Sequence, residues 1–335
     1  MIRAAIVGLG RWGRTLVNSV QGKSGAIRFT AGHTRTRASA EAFCAENGIT
    51  PKDDLDEVLG DPAIDAVVFA TPHSQHAAQI ERAAAAGKNI FMEKPFTLDL
   101  RSAEAALAAV ERAGVVLAIG YPRRFHPATA ELKARIDDNR LGVLSHCEGV
   151  QTTPAALFMP RNYWRADPRE APAGAMTATG VHTIDALIHL FGRIDEVYCT
   201  SLPRVIAQVE DTTTVSMRLA NGMSAGLFCS LATAVTSRFA VYGTKGCVDL
   251  LTSNFEFRFT PVVQPPATGR HTTPEPEIIR YGGFNTLAAE LESFAAAING
   301  ERPYPITADE ILHGVAVFEA IVRSAARHQP VKVSL

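Results

Sequence analysis

A glycine-rich turn directly after an apolar segment constrains the fold of this chain more than any other feature. The turn is the run Gly8-Leu9-Gly10-Arg11-Trp12-Gly13. A Gly-x-Gly-x-x-Gly that follows a strand and opens a helix is the context in which the motif binds a dinucleotide. Gly8 permits the tight turn, Gly10 lets the backbone meet a pyrophosphate, and Gly13 lets the helix pack on the strand. The alternative is a glycine-rich turn without a ligand.

The first third of the chain alternates strand-like and helix-like segments. Residues 4–8, 27–33, 66–70, 89–92 and 115–120 form the predicted strands. The helical patterns cover residues 12–21, 38–47, 74–87 and 99–113. Strands separated by helices predict βαβ units and a parallel sheet.

The pattern changes after about Tyr121. A strand is predicted at 146–153, one helix at 177–191, and short alternating segments from Glu196 onward, with Asn221-Gly222 as a hairpin turn. We expect an antiparallel sheet, an exposed loop over 262–277, and helices at 287–298 and 309–327. The predicted fold class is therefore α/β followed by α+β. The predicted domains are a dinucleotide-binding domain at 1–121 and a substrate and oligomerisation domain at 122–335, with the C-terminal helices packing back toward the first domain.

Composition narrows the classes of function. The chain has 335 residues, 47% of them hydrophobic, and a formal net charge of −1, which disfavours nucleic-acid and membrane-surface binding. The five cysteines are scattered, which fits a reducing compartment and argues against a disulfide framework. We see neither a signal peptide nor an apolar run of transmembrane length, and expect a cytoplasmic protein.

The end of the second predicted strand bears on the choice of cofactor. An NAD site commonly places a carboxylate there to hold the ribose hydroxyls, and Thr34 occupies that position here. Arg35 and Arg37 follow, and guanidinium groups match the geometry of a 2′-phosphate. We therefore favour NADP over NAD, with solvated surface arginines as the alternative.

The sequence resembles the Gfo/Idh/MocA oxidoreductases, the glucose–fructose oxidoreductase and inositol dehydrogenase superfamily. The matching segments are GLGRWG, Ala70-Thr71-Pro72, Glu93-Lys94-Pro95, the run from Gly120 to Phe125, Trp164-Arg165 and AGAMTATGVHTID at 173–185. The resemblance implies a Rossmann domain, a second domain on an open-faced antiparallel sheet, and sugar or polyol substrates.

Lys94 is the first candidate catalytic residue. It follows a parallel strand, and open α/β sheets bind ligands at the carboxyl ends of their strands. Pro95 disfavours helical geometry at Lys94. A neutral amine can take the proton of an alcohol, provided that burial or a positive charge lowers the pKa from about 10.4. The resemblance implies that this lysine is catalytic or orients the substrate, and a surface lysine is the alternative.

His182 is the second candidate. Ala178, His182, Asp185 and His189 share one helix face at spacings of four, three and four. The resemblance implies that His182 binds a substrate hydroxyl or transfers a proton, and a core histidine is the alternative. The family's aspartate is replaced by Ala178, which disfavours an inositol-type specificity. Asp185 could support this helix face, and a metal site is disfavoured.

The remaining candidates lie after strands or at the domain junction. Pro72, His73 and His76 are expected to border the nicotinamide, with helix-start surface residues as the alternative for the histidines. One of Arg123 and Arg124 is expected to form a structural ion pair, and Trp164 has a hydrophobic anchor as its alternative. The predicted cofactor contacts are Gly8, Leu9, Gly10, Arg11, Trp12, Gly13, Thr34, Arg35, Arg37, Thr71, Pro72, His73, His76, Glu93, Lys94, Trp164 and Arg165. The predicted substrate contacts are Lys94, Arg123, Arg124, Trp164, His182 and Asp185.

These features predict an oxidoreductase that transfers a hydride between NADP, or NAD, and a sugar, polyol or related hydroxy or keto compound. Two alternatives stay open, a non-catalytic dinucleotide-binding regulator and an NAD-dependent glycoside hydrolase on the same fold. The open-faced sheet predicts a homo-oligomer, a dimer or a tetramer, since its bare face would otherwise be exposed.

Overall fold

The computed structural model describes residues 1–160, 163–251, 256–264 and 273–335. The chain forms two compact units. The first unit comprises Met1–Pro122 and Asn285–Val315, and the second comprises Arg123–Phe284 and Ala316–Leu335. The stretch 122–335, which the sequence predicts as one domain, therefore contributes residues to both units.

The first unit is built on a parallel sheet of six strands. These strands are β1 Ile2–Val7, β2 Ile27–His33, β3 Thr50–Pro51, β4 Ala66–Phe69, β5 Asn89–Glu93 and β6 Leu117–Gly120. Their order in the sheet is β3-β2-β1-β4-β5-β6, and every pair is parallel. This is the strand order of a doubly wound nucleotide-binding sheet, which confirms the predicted fold of this unit. All four residues of β4 are buried, as expected for a strand covered on both faces.

Helices separate these strands. The helices of the described chain are α1 Arg11–Val20, α2 Glu41–Asn47, α3 Leu55–Gly60, α4 His76–Ala85, α5 Leu100–Ala113, α6 Pro127–Asp137, α7 Val181–Phe191, α8 Thr286–Ile298 and α9 Ala308–Arg327. Asp99 accepts the Ser102 N–H and fixes the start of α5. The helix predicted over 38–47 was wrong in its first turn, because residues 37–39 form a 3₁₀ turn before α2 begins. Helix α8 packs on α1, and Phe294 meets Phe91 of β5 edge to face at 5.8 Å.

The second unit is built on a sheet of nine strands. These strands are β7 Leu144–Thr152, β8 Ile194–Leu202, β9 Thr212–Leu219, β10 Ser224–Ser230, β11 Thr236–Gly243, β12 Gly246–Leu251, β13 Glu256–Pro261, β14 Glu277–Arg280 and β15 Val331–Lys332. Their order is β14-β13-β12-β11-β7-β10-β9-β8-β15. The predicted α+β architecture is confirmed, but the expectation of a purely antiparallel sheet was wrong, because β7 and β10 pair in parallel. The helix and two strands between them in sequence return β10 beside β7 in the same direction.

One face of the nine-stranded sheet carries α7. Thr183 of α7 lies over Gly149 of β7, where a Cβ would come within 2.5 Å of the threonine Cγ2. Phe191 at the end of α7 stacks on Phe239 of β11, with ring centroids 6.4 Å apart. The strands alternate in burial accordingly, as in β9, where every second residue is buried and the others are exposed or half-buried.

The predicted turn and loop follow the sequence pattern. Gly222 has a φ of +88°, and the Leu219 N–H donates to the Met223 carbonyl at 2.9 Å, which closes the hairpin between β9 and β10. Of the loop predicted over 262–277, residues 262–264 and 273–276 are irregular, Glu277 opens β14, and 265–272 lie outside the described residues. Over the described ranges, no helix combines the length and the apolarity needed to cross a bilayer.

Candidate functional site

The three glycines of the loop after β1 have three different surroundings. Gly8 has a φ of +99°, and a Cβ there would lie 2.4 Å from the Ala70 carbonyl oxygen. A Cβ at Gly13 would lie 2.0 Å from the Gly8 carbonyl oxygen, so α1 approaches β1 closely only with glycine there. At Gly10 a Cβ would meet nothing within 4 Å. Two of the glycines therefore serve the fold, and the third leaves the backbone at the start of α1 accessible.

The start of α1 suits an anionic group. Gly10 is the residue before the helix and has no side chain to cap it, and the first turn contains no acidic residue. The first backbone N–H groups of a helix lack partners within the helix and carry its positive end. The residues present thus fit the pyrophosphate of a dinucleotide.

The other residues of the loop differ in exposure. Leu9 is buried against the Gly32 side of β2, whereas Arg11 is exposed. Trp12 is half-buried, and its indole N–H is buried without an acceptor among the described residues. A buried donor of this kind is stabilised when a ligand supplies an acceptor.

Thr34, Arg35 and Arg37 follow β2, beside a small cleft. The cleft is lined by Leu9, Gly32, Thr34, Arg37, Ala40, Glu41, Cys44, Pro51 and Lys52. Arg37 is paired with Asp53 and, at 3.8 Å, with Glu41. Arg35 is exposed, and no ion pair joins it to a described carboxylate. Of the two arginines predicted to meet a 2′-phosphate, Arg35 is therefore the one whose charge is not already paired.

The loops after β4 and β5 are tied together by His76. Its Nδ1 lies 2.8 Å from the Pro95 carbonyl oxygen, and its Nε2 lies 3.2 Å from that of Thr71. His73 packs edge to face on His76, with ring centroids 5.6 Å apart. Both histidines are buried, so the alternative of helix-start surface residues was wrong. His76 therefore links the backbone directly before Pro72 to the backbone directly after Lys94.

Lys94 directly follows β5 and is half-buried. The buried carboxylate of Glu93 accepts the Lys94 backbone N–H at 3.3 Å. A Cβ at Gly120, which ends β6, would lie 2.9 Å from Glu93 Oε1, so a glycine there makes room for that carboxylate. Because β1, β4 and β5 are neighbours, the glycine loop, the Thr71 loop and Lys94 lie at the same edge of the sheet.

His182 lies in the first turn of α7 and is half-buried. The prediction of one continuous helix over 177–191 was wrong, because the segment begins as a π-helix at Met176–Gly180. The cause of the π-helix is packing against the sheet. A Cβ at Gly180 would lie 2.4 Å from the Met176 sulfur and 2.9 Å from Cys229 Sγ of β10. The wide turn and the glycine together bring this segment close to the sheet, directly before His182.

The face that His182 shares with Asp185 and His189 is occupied in part by Arg124. The Arg124 guanidinium donates three hydrogen bonds of 2.8–3.1 Å to the Asp185 carboxylate, and its Nη1 lies 3.3 Å from His189 Nδ1. The Arg124 and Asp185 side chains are only 3% and 5% exposed. Arg124 thus forms the structural ion pair that the sequence left open between two arginines, and Asp185 supports α7.

Arg123 has a different environment. Its guanidinium donates to Ser237 Oγ of β11 at 2.8 Å. The sequence analysis missed Ser237, since a serine at a strand end carries no local signal. Ser237 lies 114 positions from Arg123 in sequence, so only the tertiary structure shows that the two side chains meet.

Trp164 and Arg165 form a local cluster in the second unit. The Arg165 guanidinium lies 4.5 Å from the Trp164 ring centroid and donates to the Tyr163 hydroxyl at 3.2 Å. Trp164 is half-buried. No group of three or more histidine, cysteine or carboxylate side chains with metal-binding geometry occurs among the residues that the structure describes.

Two family models match the chain. Residues 2–121 match the model described as "Oxidoreductase family, NAD-binding Rossmann fold", and residues 129–249 match that of the "GFO/IDH/MocA C-terminal domain". The chain is 36% identical to a scyllo-inositol 2-dehydrogenase (NAD(+)) of Bacillus subtilis (strain 168), over 57% of this chain and 54% of the relative. It is 29% identical to an inositol 2-dehydrogenase of Rhizobium meliloti (strain 1021), over 99% of both.

Solved structures show the same fold. A levoglucosan dehydrogenase in complex with NADH and levoglucosan superposes with a TM-score of 0.87 at 20% identity, over 99% of both chains. At that identity the likeness concerns the fold alone. It extends over both sheets, the parallel one and the mixed one.

Proposed function

The chain belongs to the Gfo/Idh/MocA family of oxidoreductases, and from this premise we propose that it transfers a hydride between a nicotinamide dinucleotide and a hydroxyl-bearing carbon of a sugar, polyol or related compound. The observation that carries the proposal is the sheet edge on which Gly10, Thr71 and Lys94 follow neighbouring strands. Ligands of open α/β sheets bind at that edge.

The dinucleotide is held by the first unit in this proposal. The open backbone at Gly10 and the uncapped start of α1 receive the pyrophosphate, and the segment from Thr34 onward, which follows β2, receives the ribose of the adenosine. Thr71, Pro72, His73 and Glu93 border the nicotinamide, and His76 holds their loops in place. The nicotinamide supplies or accepts the hydride.

Lys94 transfers the proton of the reacting hydroxyl in this proposal. Its amine takes that proton when the alcohol is oxidised and returns it when the carbonyl is reduced. We assign to His182, in the second unit, the binding of a substrate hydroxyl, because an imidazole both donates and accepts hydrogen bonds near neutral pH. Asp185 and Arg124 act as positioning residues for the helix that carries His182.

We propose NADP as the preferred cofactor. Support comes from Thr34 at the position of the usual carboxylate and from Arg35, whose charge is not paired with a described carboxylate. Because Arg37 is paired with Asp53 and Glu41, we expect it to contribute less than Arg35 to binding the 2′-phosphate of NADP. The relative from Bacillus subtilis carries NAD(+) in its name, which favours the opposite preference.

We propose that the chain forms a homo-oligomer through the face of the nine-stranded sheet that does not carry α7. Phe228 of β10 pairs with Val150 of β7 on that face, and both are half-buried in the single chain. Apolar side chains on an otherwise open sheet face are stabilised when a second copy covers them.

The test of the function is a screen of sugars and polyols with both dinucleotides, in which turnover is measured as the change in nicotinamide absorbance. We expect turnover with at least one compound, and a Lys94→Ala variant should lose about a hundredfold or more in kcat. Lys23→Ala is the matched control, because Lys23 is exposed and follows the end of α1 that is opposite to the glycine loop.

Three other outcomes would contradict the proposal. Absence of dinucleotide binding by calorimetry would remove its basis. Binding without turnover of any compound would favour the regulator. Cleavage of a glycoside without net change in the dinucleotide would favour the hydrolase.

A further inference from the structure

Two adjacent arginines, Arg123 and Arg124, share the neighbourhood of one carboxylate, that of Asp185. Arg124 takes both oxygens of that carboxylate in three hydrogen bonds. Arg123 lies close enough for electrostatic attraction to Asp185 but forms no ion pair with any described carboxylate. The residues outside the described ranges include neither aspartate nor glutamate, so the sequence offers no further partner there. Arg123 thus carries a positive charge that no described carboxylate pairs.

The surroundings of Arg123 are polar but neutral. Burial lowers the pKa of its guanidinium to about 10, which still leaves it cationic at neutral pH. The Ser237 hydroxyl accepts a hydrogen bond from this guanidinium at 2.8 Å. Burial raises the pKa of the nearby Cys229 thiol to about 12, so the sulfur is not an anion either. Arg123 is half-buried, so its charge is only partly solvated, and the cost of this desolvation falls when a ligand brings an anion.

A row of polar side chains crosses the sheet beside Arg123. Ser237 of β11 is in register with Gln151 of β7, and Gln151 is in register with Cys229 of β10. Residues in register on neighbouring strands point to the same face, here the one that carries α7. The Gln151 Oε1 atom is buried and accepts no hydrogen bond from any described residue. The row therefore offers a cation at one end and an unsatisfied acceptor beside it.

This row lies next to the helix of His182. A Cβ at Gly180 would come within 2.9 Å of Cys229 Sγ, and His182 follows Gly180 by two residues. Arg123, Ser237, Gln151 and Cys229 all belong to the second unit. The polar row and the residue assigned to a substrate hydroxyl are thus parts of one region.

We propose that Arg123, with Ser237 and Gln151, forms a carboxylate-binding subsite and that the substrate is a sugar acid rather than a neutral sugar or cyclitol. A substrate carboxylate supplies the anionic partner that Arg123 lacks, and the planar guanidinium matches the geometry of a carboxylate. A hydroxyl of the same molecule donates to Gln151 Oε1. The inference rests on the proposed function only in taking the bound molecule to be the substrate.

The experiment compares ligands that differ in one group. D-glucuronate and D-glucose share a ring and differ in a carboxylate against a hydroxymethyl, as do D-galacturonate and D-galactose. Binding is measured by calorimetry on the dinucleotide-loaded protein at fixed ionic strength, and kcat/KM is measured for each compound that turns over. We expect at least one acid to bind about tenfold or more tightly than its neutral counterpart, as for a hydrogen bond to a charged group.

Variants test whether Arg123 causes the tighter binding of the acid. Arg123→Gln should remove it, while Arg123→Lys keeps part of it. Arg101→Gln, which removes an exposed charge elsewhere, should leave it intact. If Arg123→Gln does not fold, Ser237→Ala should still reduce the preference, because the hydroxyl orients the guanidinium.

Equal binding of acid and neutral sugar overturns the proposal, as does a preference that survives Arg123→Gln or a failure of all four compounds to bind. Calorimetry does not require turnover. Selective binding of an acid would therefore support the subsite even if no compound of the wider screen were turned over, and that second outcome would refute the proposed function alone.

Discussion

Arg35 and Arg37 lie two residues apart after β2 and differ in what holds them. Asp53 and Glu41 bind the guanidinium of Arg37, whereas that of Arg35 has no ion pair with a described carboxylate. A 2′-phosphate approaching this loop therefore meets an available charge at Arg35, and must compete with two carboxylates at Arg37. Identical side chains in one short segment thus have unequal capacity to bind an anion.

This difference predicts unequal effects of two matched substitutions. Arg35→Ala should weaken NADPH binding by about tenfold or more, the cost of one charge-assisted hydrogen bond, and leave NADH binding unchanged. Arg37→Ala should weaken NADPH binding less, because its charge is already paired. Calorimetry of both variants with both dinucleotides measures this. Wild-type protein that binds NADH more tightly than NADPH would contradict the argument.

At the level of elements, two glycines of the loop after β1 have different roles, one in the packing of α1 on β1 and the other in leaving room for a ligand. Gly13 is required by the close approach of α1 to the Gly8 carbonyl, and Gly10 is not required by any contact within the protein. Gly10 also has a φ of −73°, which other residues adopt readily. Its glycine therefore has no structural reason within the described chain.

A matched pair of alanine substitutions tests this separation. Gly13→Ala should lower the melting temperature, because its Cβ meets a backbone oxygen that cannot move aside. Gly10→Ala should leave the melting temperature unchanged and weaken dinucleotide binding, since its Cβ would occupy the space of the pyrophosphate. Thermal unfolding without ligand and calorimetry with it distinguish the two. Unchanged affinity in Gly10→Ala would argue against a pyrophosphate at this loop.

The helix of His182 shows where element-scale prediction failed. Its apolar and polar spacing predicts one continuous helix, and the structure opens it with a π-helix at Met176–Gly180. The cause is the contact of Gly180 with Cys229, a residue some fifty positions further along the chain. Periodicity reports which face of a helix is buried, but not how closely that face approaches its sheet.

At the scale of the whole molecule, the nine-stranded sheet has one face without α7. A row of paired residues crosses that face from Thr214 through Phe228 and Val150 to Arg238. Arg238 is paired with Glu148 and Asp249. Apolar side chains flanked by paired charges are typical of a surface that another copy covers.

This surface predicts the behaviour of the chain in solution. Light scattering should give a mass at least twice that of one chain, and Phe228→Glu should reduce it, because burying a carboxylate without a partner is unfavourable. Ala113→Glu, which adds a carboxylate at the exposed end of α5, is the control. A wild-type monomer would refute the proposed oligomer.

The sequence by itself determined the strand-to-helix alternation, the glycine turn, the position of Lys94 after β5 and the family, because each is encoded by neighbouring residues. Local periodicity and turn chemistry act over a few positions, and the structure reproduces them in β2, in α5 and in the Asn221-Gly222 hairpin. The roles of the glycine turn and of Lys94 in binding and catalysis are proposals, which the variants above test.

The tertiary structure decided the partners of each charge and the pairing of distant strands. In the folded chain, Asp185 pairs with Arg124, and Arg37 pairs with Asp53 and Glu41. Strands β7 and β10 pair in parallel. Such pairings join residues far apart in sequence, and the energy of a charge depends on burial and on what lies opposite. The glycine turn is thus legible from its own residues, whereas the charge left at Arg123 follows only from how the chain folds around it.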